Sequence, residues 1–208
     1  MTASPHAMQF GPKEDLARRT LSLQWAGRAP VHDLFLNDAA IAYYAGEELT
    51  LDNAEEVVYR ALSQAVDCTR LEIILPHSPG TERDEDGSVW EYERWTTWLK
   101  EGPVRTYEDY RQSVRASAES LLSDWSARDQ ARLDGLLATH TEAKTRLGDV
   151  LLMGNFFTKA GFMALYAPNY LEFMGYLLAD DPELVRLALE AHTHKSVQLV
   201  VCHDDLTW

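Results

Sequence analysis

Cysteine is nearly absent from this chain. Cys68 and Cys202 are the only two in 208 residues, and they lie far apart with no Cys-x-x-Cys spacing, which excludes a disulfide scaffold or a closed zinc knuckle. Cations are scarce as well: 19 Lys and Arg stand against 33 Asp and Glu, a net charge of −14. Such a surface repels phosphate backbones and anionic headgroups, so neither nucleic acid nor a membrane is an expected partner. No run approaches the ~18 apolar residues of a membrane span, and the first ten residues lack a basic stretch followed by an apolar one. A reducing cytoplasm is the expected location. Gly-x-Gly-x-x-Gly, Walker, Gly-x-Ser-x-Gly and His-Glu-x-x-His patterns are also missing, which leaves nucleotide binding, serine hydrolysis and zincin chemistry without support.

What is present is enough hydrophobic sequence, 46%, to build a sizeable core. After a tail over residues 1–11, one domain is expected from 12 to 208. Pro12, Glu14 and Asp15 suit a first helical turn, with Leu16, Leu23 and Trp25 recurring through a helix that stops near Gly27. Pro30 to Leu36 reads as extended, and Asn37 or Asp38 caps a short helix closed by Gly46. Asn53 and Glu56 have the spacing of a capping box before an amphipathic helix, and a buried strand is expected at Leu71 to Leu75. The turn Asp84-Glu85-Asp86-Gly87 and the aromatic runs after it predict a hairpin over 81–100. Thr106 with Asp109 and Ser126 with Asp129 mark two further helix starts, Asp149 to Met153 a second strand, and Asp181-Pro182-Glu183 the start of a last long helix. Short apolar strands alternating with long helices predict an α/β fold built from parallel units.

Three segments together resemble the uroporphyrinogen decarboxylase superfamily, which also contains corrinoid-dependent methyltransferases: Asp84 to Tyr110, Gly154 to Val185, and His203 to Trp208. The resemblance implies a (β/α)8 TIM barrel, of which this chain would supply about the first half, with a β-hairpin insertion near 81–100. A full barrel of this type needs about 250 residues. Two departures point away from tetrapyrrole decarboxylation: Gln24 to Arg28 only partly echoes the family's arginine motif, inside an expected helix, and Phe162 stands where the decarboxylases carry a tyrosine. The resemblance therefore implies a methyltransferase-type or uncharacterised member acting on a small molecule with a corrinoid protein as partner. The alternatives are a non-catalytic remnant or assembly component, and a genuine decarboxylase of porphyrin metabolism. Zinc and a corrinoid belong to a complete methyltransferase-type relative, whose metal ligands lie in the barrel's other half.

Asp204 and Asp205 match the family's strand-end aspartates and are the first catalytic candidates. His77, after the expected strand at 71–75, and Asn155, after the second strand, begin loops where barrel active sites form, or simply cap those loops. Asp33, on the first extended segment, either faces a barrel lumen or accepts backbone hydrogen bonds; with Phe156 and Phe162 it is a substrate-binding candidate. Adjacent Cys202 and His203 supply at most two ligands, so no metal site is assigned and zinc binding is expected to be weak. His192 and His194 are expected on the surface. Half a barrel leaves open edges, so self-association or a partner chain is expected.

Overall fold

The computed structural model describes residues 11–153 and 169–201. The chain divides into two compact units, residues 1–77 with 133–155 and residues 78–132 with 156–208.

The first unit opens with α1 (Pro12–Leu21), whose starting proline has the fixed φ and missing N–H that a first turn tolerates. The helix ends six residues earlier than the sequence pattern suggests: Leu23 adopts φ +59°, and Leu23 and Trp25 lie 96% and 77% exposed. Their apolar side chains thus belong to no helical face. α2 (Asp38–Ala45) is capped by the Asn37 side chain, which accepts from Ala40 N, and closes on Gly46 at φ +69°. α3 (Ala54–Ala65) buries Val57, Val58, Ala61 and Leu62 along one face. The expected capping box is not formed. The Asn53 carboxamide instead accepts from Thr50 N and donates to Glu47 and to the Glu48 carbonyl, while Glu56 pairs with Arg60.

The first strand is β1 (Cys68–Arg70) rather than Leu71 to Leu75. Its partner sets this limit: β5 (Leu151–Met153) runs parallel to β1 in the register Cys68 to Leu151 and Arg70 to Met153, and the last ladder bond is Leu71 N to the Met153 carbonyl. On the other side of β1, His32 forms a parallel bridge with Cys68. Three parallel segments therefore lie side by side in chain order, joined by two long connections that both contain helices, as parallel pairing requires.

In the second unit the expected hairpin gains a strand. β2 (Gly80–Arg83), β3 (Val89–Tyr92) and β4 (Thr97–Glu101) form an antiparallel sheet in that order. The acidic turn is the β2–β3 connection, where Asp84 accepts from Ser88 N at 2.8 Å and from the Trp90 indole N–H at 2.8 Å. α4 (Tyr107–Leu121) begins with the expected capping box between Thr106 and Asp109. Tyr110, Val114 and Ala118, spaced by four, pack with Phe173 and Leu177 of α6 (Tyr170–Asp180) and with Leu184, Ala188 and Ala191 of α7 (Pro182–Val201). Asp181 caps α7 by accepting from Leu184 N and also receives the Arg111 guanidinium. α5 (Ala127–Leu147), which belongs to the first unit from Leu133 onward, starts in the second with a reciprocal Ser126–Asp129 pair, and Asp129 also receives the Lys195 ammonium. His192 is buried on α7, which corrects the surface placement expected for it.

Candidate functional site

The parallel ladder of the first unit has two chemically different ends. At the ends where its segments begin, Asp67, Asp149 and Glu14 are each tied to partners. Asp67, just before β1, takes both terminal nitrogens of Arg28 at 2.6 and 2.7 Å and the Val31 N–H at 2.8 Å. The Arg28 guanidinium, helped by the Val31 N–H, holds the Asp67 carboxyl below its ordinary range. Asp149, just before β5, accepts from Lys13 N at 2.9 Å and so caps α1 from far along the chain. Glu14 is buried, which by itself would raise its pKa, but the Lys144 and Arg18 hydrogen bonds outweigh burial and lower it. These contacts tie the beginnings of the segments to one another and to α1. Gln24 to Arg28 is not helical, and the Arg28 guanidinium is spent on Asp67, so the partial echo of the family's arginine motif grips a residue of this chain.

At the opposite end, where the segments finish, the chemistry is different. Side chains alternate along a strand, so Arg70 shares the face of Cys68, which packs with Ala17, Leu151 and Met153. His32 lies beside Cys68 across the bridge and Met153 beside Arg70. Arg70 is half-buried and His32 exposed. The Arg70 Nε donates to the Glu72 carbonyl at 3.4 Å, and among the described residues no carboxylate lies within ion-pair distance of its guanidinium. Neither residue was singled out as a binding group by sequence reasoning, because each is a lone basic residue outside any motif.

Asp33 turns out to serve its own loop. Its carboxylate accepts from Leu34 N at 2.6 Å and Phe35 N at 3.2 Å, and its carbonyl accepts from the Thr69 hydroxyl. That turn carries Phe35 into φ +48°, a left-handed conformation uncommon outside glycine. His77 is half-buried, but with β1 ending at Arg70 it sits seven residues beyond the strand rather than directly after it. Asn155, Phe156, Phe162, Cys202, His203, Asp204 and Asp205 lie outside the described residues.

Among the described residues no group of three or more His, Cys, Asp or Glu side chains could hold a metal ion. Burial, and then the neighbouring Asp67, pushes the Cys68 thiol pKa up, away from the thiolate that a ligand or nucleophile requires. The described residues thus do not fit the zinc implied for a complete methyltransferase-type relative. In the second unit a cavity of about 360 Å³ is lined by Lys100, Val104, Arg105, Asn169 and Phe173 among others, with no histidine or cysteine in its wall. No helix among the described residues is long and apolar enough to cross a membrane. No protein-family model, curated protein or solved structure matches the chain.

Proposed function

We propose that this chain is a uroporphyrinogen decarboxylase-like protein of the methyltransferase or uncharacterised type, which takes a small molecule where its parallel segments end and works with a corrinoid partner. The observation that carries this reading is the order of the ladder. His32, β1 and β5 are neighbours in the sequence in which the chain makes them, which is what successive units of a (β/α) barrel produce, and such barrels bind substrate at the strand ends. The resemblance of Asp84 to Tyr110 and of Gly154 to Val185 supplies the choice of superfamily.

The test is to mix the purified chain with methylcobalamin and a small thiol and follow the corrinoid spectrum. Loss of the methylated form faster than without protein supports the reading. The absence of both acceleration and saturable corrinoid binding overturns it, and coproporphyrinogen accumulating from uroporphyrinogen would transfer the chain to the decarboxylases.

One observation favours a second reading, a non-catalytic component completed by another chain. Among the described residues β5 pairs with β1 alone, so its other edge offers unpaired backbone groups for association. Light scattering over a dilution series tests it, and a strict monomer at every concentration speaks against it.

A further inference from the structure

In a chain with 33 carboxylates and 19 cations, a basic side chain on the face of a parallel ladder is expected to find an acidic partner. Arg18, Arg19, Arg28, Arg60, Lys144 and Arg146 of the first unit do so, and the Lys13 ammonium is taken by the Ser63 and Gln64 carbonyls. Arg70 does not, although it is half-buried at the end of the central segment, and its one contact through Nε leaves both terminal nitrogens without a partner among the described residues. The Nε contact with the Glu72 carbonyl lies at the surface, so the guanidinium is within reach of a ligand from solvent. His32 adds a second donor. It sits opposite Cys68 in a parallel bridge, and Arg70 follows two residues along β1 on the same face, so the two side chains rise from neighbouring segments. Next to it, the Asp33 turn holds Phe35 at φ +48°, and backbone strain of this kind gathers at binding sites.

We infer that Arg70, assisted by His32, is the oxyanion-binding element of this ladder end and that the small molecule taken there carries a carboxylate. A planar guanidinium with two free terminal nitrogens matches a carboxylate with two parallel hydrogen bonds. A phosphate group would call for more donors than this face provides. The inference rests on reading the finishing end of the ladder as the ligand site, and it adds the substrate's chemical class and a residue outside the family's arginine motif.

The experiment is a titration of the intact, isotopically labelled chain with succinate, succinamide and inorganic phosphate, following the Arg70 Nε–H and Leu71 N–H resonances. Succinate is expected to shift both signals saturably while succinamide does not. Arg70→Gln should weaken succinate binding about tenfold, the scale of losing one bidentate charge-assisted pair, Arg70→Lys by less, and His32→Gln by a smaller factor again. Unchanged circular dichroism of each variant verifies folding. No saturable succinate effect, equal responses to succinate and succinamide, or full affinity in Arg70→Gln would each overturn the inference, and phosphate binding in place of succinate would overturn the carboxylate assignment. Succinate binding without corrinoid chemistry would refute only the proposed function, whereas corrinoid chemistry without a succinate site would refute only this inference.

Discussion

Leu23 occupies a position that backbone chemistry reserves for glycine. After α1 the Leu23 N–H donates to the Thr20 carbonyl at 3.0 Å and the Gln24 N–H to the Arg19 carbonyl at 2.8 Å, the paired bonds of a Schellman cap, with Leu23 itself at φ +59°. α2 ends on Gly46 in the same left-handed region at φ +69°. The leucine is 96% exposed, so its side chain contributes no burial to offset the backbone strain. An L-residue in this conformation costs roughly 1–2 kcal/mol, and glycine returns roughly 0.5–1 kcal/mol of that through its greater freedom in the unfolded chain. Leu23→Gly is therefore expected to stabilise the first unit by about 0.5–1 kcal/mol. Leu23→Ala keeps the Cβ and should change almost nothing. Urea denaturation followed by circular dichroism measures the difference, and hydrogen exchange at Ser22 to Gln24 localises it. A Leu23→Gly variant no more stable than wild type refutes the reasoning. So does a Leu23→Ala variant that loses stability, because the leucine would then be covered by something.

Gly11→Ala should destabilise the first unit by about 1–3 kcal/mol, because a Cβ there would stand 1.9 Å from Asp149 Oδ1 and push away the carboxylate that caps α1; urea titration of the variant checks this. The acid limit of stability should be set by Asp67 and Glu14, whose folded pKa values lie below their ordinary 3.8 and 4.5. Their contribution is complete above those ordinary values and is lost as pH falls through the lower folded ones, so a urea midpoint that stays flat through strong acid would contradict it. Burial pushes the Tyr110 phenol up to about 12, so the ultraviolet difference between wild type and Tyr110→Phe should contain no phenolate signal at pH 10.0, its ordinary value; a signal there means that the ring is accessible.

Features decided within a few residues were legible from the amino acids. The capping box at Thr106 and Asp109, the Ser126–Asp129 pair, the Asn37 and Gly46 ends of α2 and the Asp181 cap of α7 each depend on one local turn, and each is formed. Asn53 shows where this stops: its spacing to Glu56 permitted a capping box, but Thr50, Glu47 and Arg60 offered these side chains other partners.

Strand position, charge pairing and exposure were settled by groups distant in sequence. The apolar run Leu71 to Leu75 has strand composition, but β1 lies at Cys68–Arg70 because that is where β5 and His32 pair with it. Arg28, in a segment that only partly echoes a ligand motif, is held by Asp67 across 39 residues, and α1 receives its cap from Asp149 across 136. Arg70 is the converse, an ordinary arginine in the sequence that becomes a candidate ligand group because the fold brings it no carboxylate. Local hydrogen-bonding geometry fixes helix ends, and the amino-acid order contains it; which charges meet, and which remain available, depends on chain closure that only the tertiary structure provides.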